Sequence, residues 1–208
     1  MKNGEIKEYY ENGNLWYSAT YINGKLDGEF TEYHLNGKLW QRSLYKNGQL
    51  HGESKNWYDD GILESLKYYN EGVPEGKHQV WHENGTLACI EDFNKLRGIY
   101  CQCWYNDGKF WKECFKSGNV RNIKHWYQNG NLWSIDQYKN GKQQGKQVKW
   151  HDNGNLHLQE YYKNGVKNGS YMEYYRNGNL YIKAFYVEGK RKDMLMFDEN
   201  GKLIKDVI

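Results

Sequence analysis

The sequence predicts an all-β protein, an elongated single-layer antiparallel sheet or solenoid built from tandem β-hairpin repeats of about 24 residues. Three observations predict it. Asn-Gly and Asp-Gly pairs recur at a nearly constant spacing, aromatic and leucine columns hold fixed offsets from them, and 23 glycines stand against a single proline, Pro74.

The turns come first. Gly13, Gly37, Gly61, Gly85, Gly108, Gly130, Gly154, Gly178 and Gly201 follow one another at intervals of 24, 24, 24, 23, 22, 24, 24 and 23 residues. Asn-Gly between β-prone runs is a strong hairpin signal, because both central residues of a type I′ turn need positive φ. A second turn follows in each unit, at Asn23-Gly24, Asn47-Gly48, Glu71-Gly72, Ser117-Gly118, Asn140-Gly141, Asn164-Gly165 and Glu188-Gly189. A further glycine then opens the next unit at Gly28, Gly52, Gly76, Gly98, Gly145 and Gly169.

The strands between these turns carry the columns. Four residues before each repeat glycine stands an aromatic: Tyr9, Tyr33, Trp57, Trp81, Trp104, Trp126, Trp150, Tyr174 and Phe197. Two after it stands Leu or, at Phe110, Phe; eight after it comes Tyr21, Tyr45, Tyr69, Phe93, Tyr138, Tyr162 or Tyr186, with Phe115 filling that place one residue early. Such runs are too short, and too rich in Tyr, Trp and Thr, for amphipathic helices. Each repeat is therefore two strands and two turns. An isolated hairpin is marginal in water, so each unit leans on the next through stacked columns.

One array covers residues 1–208, with repeats at 4–27, 28–51, 52–75, 76–97, 98–121, 122–144, 145–168 and 169–192 and a partial C-terminal cap at 193–208. Hydrophobic residues are 38% of the chain and aromatics 17%, so the interior is built from aromatic bodies whose polar tips reach water. That aromatic content and a net charge of only +3 argue against disorder. Charge is spread without a basic block, so no nucleic-acid partner is expected. Neither a signal peptide nor a membrane-length apolar run is visible, which points to the cytoplasm. The four cysteines, all between Cys89 and Cys114, are expected to be reduced structural thiols.

The frame Y-x-x-G-x-x-x-G at Tyr21 to Gly28 recurs at Tyr45 to Gly52, Tyr69 to Gly76, Tyr138 to Gly145 and Tyr162 to Gly169. Together with the N-G-x-L turns at Asn12 to Leu15 and Asn177 to Leu180, it resembles the variant class of MORN repeat proteins found in bacteria and large DNA viruses. The resemblance implies an elongated antiparallel sheet without catalytic residues, and a role in protein interaction or phospholipid binding. Some relatives of the variant class are described as antitoxin-like. The pattern departs from regularity at residues 94–122, where a second turn is short and the spacing falls to 23 and then 22, so a local distortion is expected there.

Signals for chemistry are weak. His34, His82 and His151 share the position three before the repeat glycine with Tyr10, Tyr58, Tyr105, Tyr127, Tyr175 and Asp198, so that column wants a planar or polar side chain and not a general base. Cys101 and Cys103 lack partners at metal-site spacing. No phosphate loop or nucleophile elbow is present, and Asp59-Asp60 lies at a turn. No catalytic, cofactor-binding or metal residues are assigned. The interaction candidates are Trp16, Trp40, Trp111 and Trp133, three after the repeat glycine, on the face opposite the leucine column and split into two patches by Glu64 and Ala88.

The sequence therefore reads as a non-catalytic scaffold for an unidentified protein partner, with self-association also open. Two alternatives stand beside it. One is capture of a choline-like or glycan ligand in aromatic cages made from pairs such as Trp57-Tyr58 and Trp126-Tyr127. The other is peripheral attachment to anionic phospholipid, which rests on the family resemblance and a pI near 8.4.

Overall fold

A computed structural model describes residues 2–94 and 98–207. Its chain is all-β, with twenty strands and no helix among the described residues. It divides into two compact units, one of residues 1–96 with 103–108 and the other of residues 97–102 with 109–208. Within each unit, antiparallel strands that follow one another in sequence lie side by side, as tandem hairpins require.

The two turns of a repeat differ in kind. At the second turns that end in Gly24, Gly48, Gly72, Gly141, Gly165 and Gly189 both central residues have positive φ, as at Asn23 (φ 50°) and Gly24 (φ 77°), so this is the expected two-residue primed turn. The first turn corrects the expectation of a type I′ geometry. Gly13 has φ 86°, but Asn12 does not have positive φ. Asn12 Oδ1 instead accepts the Asn14 amide at 3.0 Å, Gly13 N–H donates to Tyr10 O at 2.9 Å, and Tyr10 N–H donates to Asn14 O at 2.8 Å. The asparagine is chosen for its side chain, which folds back on the backbone two residues on. Asn36, Asp60, Asn84, Asn129, Asn153 and Asn177 do the same.

The glycine that opens each unit is explained by pairing. Gly28 stands directly opposite Tyr45, Gly52 opposite Tyr69, Gly76 opposite Phe93, Gly145 opposite Tyr162 and Gly169 opposite Tyr186. Positive φ at these glycines puts a bulge in the strand, and in Gly28, Gly52 and Gly169 an added Cβ would come within 3.1–3.3 Å of a neighbouring side chain. The ring opposite it, from the second strand of the same repeat, covers the gap that the missing side chain leaves.

The core is a narrow row along one sheet face. Ile6, Ala19, Phe30, Ser43 and Ser54 are successive cross-strand partners in the first unit, and Glu160, Tyr171, Ala184 and Met194 in the second. Ala19 and Ser43 are fully buried because large rings flank them: Tyr17 stacks on Phe30 at 6.0 Å, and Phe30 meets the Tyr45 edge at 6.1 Å. Several buried polar members are hydrogen-bonded, and Glu160 Oε2, which accepts no hydrogen bond, lies 2.8 Å from the Lys167 ammonium. Ser43 and Ser54 hydroxyls lie 2.8 Å apart, and Gln147 closes a break in the backbone ladder by accepting from Gln137 N–H and donating to Gln137 O.

Repeats are joined by a directional ladder of hydrogen bonds. Tyr10, Tyr58, Tyr127 and Tyr175 hydroxyls donate to the carbonyls of Tyr33, Trp81, Trp150 and Phe197, each 22 or 23 residues ahead. His34, His82 and His151 bond the carbonyls of Trp57, Trp104 and Tyr174 through Nε2, which must carry the proton because a carbonyl only accepts. A second ladder runs through the turns, where Asn12, Asn36, Asn129, Asn153 and Asn177 donate Nδ2–H to a carbonyl of the following turn. The carbonyls of Trp57, Trp81 and Trp104 in the first unit and of Trp150 in the second thus each accept from the repeat before. Each of Trp57, Trp81, Trp126 and Trp150 also faces the leucine of its own hairpin.

The irregular stretch needs two corrections. The second turn of that repeat falls at Gly118-Asn119, since Ser117 pairs with Val120. Lys116, not Phe115, therefore takes the place of the column aromatic, and Phe115 points away and is 40% exposed. From Ser117–Val120 to Lys112–His125 the pairing runs without a shift, so no distortion occurs there. The spacing of 22 comes from loss of the two extra residues that make the glycine bulge elsewhere, and an even deletion keeps every side chain on its face. The shortened turn after Phe93 falls largely on residues 95–97, outside the described residues. The cysteines also depart from expectation: Cys89 is bonded to Cys103 and Cys101 to Cys114, each pair joining neighbouring strands, and none of the four is a free thiol.

Candidate interaction surface

The four tryptophans singled out from the sequence stand at the rim of the core face in each unit. Trp16 and Trp40 in the first unit are 39% and 38% exposed, and Trp111 and Trp133 in the second are 37% and 41% exposed. The leucines beside them, Leu15, Leu39 and Leu132, are half-buried, so the tryptophans are the more open column. A register shift at this step decides where the rings go. Tyr9 pairs with Leu15 but Glu8 pairs with Tyr17, so Trp16 is the extra residue of a bulge. Its ring turns toward the side that carries Tyr17 and Glu32: Nε1–H donates to Glu32 Oε1 at 3.1 Å, and the Tyr17 ring lies edge-on at 5.3 Å.

Each ring is held by other rings. Tyr10 lies 6.0 Å from Trp16, and His34 lies 6.1 Å from Trp40. In the second unit His125 lies 5.4 Å from Trp133 and 6.2 Å from Trp111, while Tyr127 is 6.1 Å from Trp133. The Tyr and His members of this column thus do two things, bonding the next repeat and backing the exposed indole. The same offset continues as His157, stacked on His151 at 4.3 Å, and Tyr181, 4.7 Å from Tyr175. These two extend the aromatic row and were legible from their spacing, yet a search for tryptophan alone passes over them. Glu64 and Ala88 hold the equivalent places in the first unit and interrupt the row there.

The titratable groups act as fixed donors and acceptors. A hydrogen bond to Glu8 pushes the Tyr17 phenol up to about 12. Burial, with the Glu113 carboxylate, does the same for Tyr100, also to about 12. Burial lowers His125 and His157, favouring their neutral forms. Among the described residues no three His, Cys, Asp or Glu side chains converge in metal-binding geometry. The clearest Tyr cage is filled by the chain itself, with the Lys167 ammonium 4.4 Å from the Tyr171 ring, 5.5 Å from Tyr186 and 2.8 Å from Glu160. In the pairs Trp57-Tyr58 and Trp126-Tyr127 the tyrosine hydroxyls are engaged, donating to the carbonyls of Trp81 and Trp150. No helix among the described residues is long and apolar enough to cross a membrane.

Comparison with known proteins agrees with the repeat frame. No curated protein matches the chain. Two solved structures resemble it weakly: a crystal structure of TcdB2-TccC3 at 9% identity and TM-score 0.25, and one of TcdB2-TccC3-Cdc42 at 10% identity and TM-score 0.20. The alignments cover 93% of this chain but only 13% and 14% of those chains, so it spans a small part of their length. The family described as the MORN repeat variant matches seven segments, residues 2–23, 26–47, 50–71, 74–95, 122–140, 143–164 and 167–188. Residues 96–121, which include three of the cysteines, are skipped. The seven matched segments take in most of the chain, and the protein belongs to the MORN repeat variant family.

Proposed function

We infer that this chain is a non-catalytic scaffold that binds another protein through its exposed tryptophans. The observation that carries this reading is that Trp16, Trp40, Trp111 and Trp133 are each more than a third exposed while ring contacts or a hydrogen bond hold them in place. Large rings fixed before binding lose little freedom on contact, which is the profile of interface anchors. Antitoxin-like capture of a partner in the cytoplasm is one form of this role.

The test is affinity capture from the native host with the full chain, compared with Trp16→Ala/Trp40→Ala and Trp111→Ala/Trp133→Ala variants. A partner retained by the parent and lost by one pair, with circular dichroism unchanged, supports the reading and locates the patch. Equal capture by all three chains removes the tryptophans from the interface.

A further inference from the structure

The glycine missing from the short repeat leaves a second feature. Where other repeats set an aromatic against a glycine, Tyr138 stands opposite Arg121, and Arg121 stands opposite Lys116. Directly paired residues share a face, so two cations lie side by side with their Cβ atoms about 5 Å apart, an arrangement that destabilises a sheet unless something compensates it. A cleft of about 590 Å³ opens here, lined by Lys116, Val120, Arg121, Ile123 and Tyr138, with the turn residues Asn119 and Asn140 at its end. None of its lining residues is acidic. Elsewhere Arg42, Lys55, Lys124, Lys167 and Arg176 each meet a carboxylate, whereas among the described residues Lys116 and Arg121 form no ion pair.

We propose that this cleft binds a small organic phosphate, its phosphate group held between Lys116 and Arg121 and its apolar or planar body against Tyr138, Ile123 and Val120. A guanidinium fork beside an ammonium suits a dianionic tetrahedral group, and the ligand removes the repulsion that the empty pair carries. Val120, 40% exposed beside two cations, gives the site an apolar wall that inorganic phosphate cannot use. The volume lies within the range of about 300–1,000 Å³ usual for small-molecule sites. Asn119 Nδ2 donates to Asn140 Oδ1 at 2.7 Å, which ties the two turns together and fixes the end of the cleft.

The experiment is a titration of the full chain with phenyl phosphate, inorganic phosphate and phenol, followed by amide shifts in two-dimensional NMR. Phenyl phosphate is expected to bind most tightly and to move resonances at residues 116–123 and 138–141. Arg121→Gln should weaken it at least about tenfold, and Tyr138→Leu should weaken phenyl phosphate more than inorganic phosphate. Because Arg121→Gln relieves a like-charge contact, its urea midpoint should equal or exceed the parent's, which separates lost binding from lost folding. A sedimentation arm uses vesicles of phosphatidylcholine with phosphatidic acid, and the chain should stay in the supernatant. No shifts at about 10 mM phenyl phosphate, undiminished binding by Arg121→Gln, or vesicle co-sedimentation that phenyl phosphate does not reverse would each overturn the proposal.

Discussion

Replacing Gly169 by alanine tests the reading that repeat glycines are there to let a neighbour approach. Gly169 has φ +126°, and an added Cβ would sit 3.1 Å from the Tyr161 Cβ and 3.5 Å from its Cγ. A Cβ is fixed to the backbone and cannot swing aside, so either the strand Leu156–Lys163 or the strand Val166–Tyr174 must shift. Overpacking of this kind costs about 1–3 kcal/mol, and the glycine-favoured backbone adds about 1–3 kcal/mol. Against this, alanine restricts the unfolded chain and returns about 0.4–1 kcal/mol. The net expectation is a loss of about 3 kcal/mol. Gly130 is the control, because it shares a positive φ of +91° but has nothing within 4 Å of its Cβ position. Gly130→Ala should cost only about 1 kcal/mol. Urea unfolding followed by circular dichroism gives the totals, and hydrogen exchange resolved by peptide shows whether protection is lost at 156–174, since repeat arrays need not unfold in one step. Equal losses for the two variants would show that close approach is not what selects the glycine.

Three further outcomes are expected. Tyr58→Phe removes the hydroxyl that donates to Trp81 O at 2.7 Å and should cost about 1 kcal/mol in the urea midpoint, while an unchanged midpoint would mean the ladder bond contributes nothing. Burial holds His125 and His157 below their ordinary 6.5, so the unfolded chain takes up protons first and stability, full above that pH, should fall as the solution is acidified through it. A midpoint that rises between about pH 7 and 5.5, or a His125→Gln/His157→Gln chain with the same pH slope as the parent, would contradict this. Peptide mapping without reductant should recover Cys89 joined to Cys103 and Cys101 joined to Cys114, and recovery of Cys101 joined to Cys103 would refute the pairing.

The repeat, its columns and its hairpin character could be read from sequence because each rests on local chemistry repeated many times. Gly24 after Asn23 needs positive φ at both positions whatever surrounds it. The first turn differs for a related reason: Asn12-Gly13 looks the same in sequence, but its geometry depends on the side chain of Asn12 reaching Asn14 and, through Nδ2, Leu35 of the next repeat. Phe115 resembles the aromatic column by residue type but not by position. Counting from Gly108 puts Lys116 there, and the strand pairing agrees. The cysteine bonds depend on which strands become neighbours, and their separations of 14 and 13 residues carry no such signal alone. The cleft at Arg121 could have been found as the place where a signature glycine is absent.

The ladder runs one way. Tyr10 gives to Tyr33 and Asn12 gives to Leu35, and the same sense is kept at Tyr58, Asn129, Tyr127 and Asn153. Each of these repeats therefore offers donors forward and carbonyls backward, like bricks with a stud on one side and a socket on the other. Excising one whole 24-residue module brings a stud to an equivalent socket, whereas reversing the order of donor and acceptor leaves like facing like. Such a chain can grow or shrink by duplication of complete modules without new chemistry at the joint.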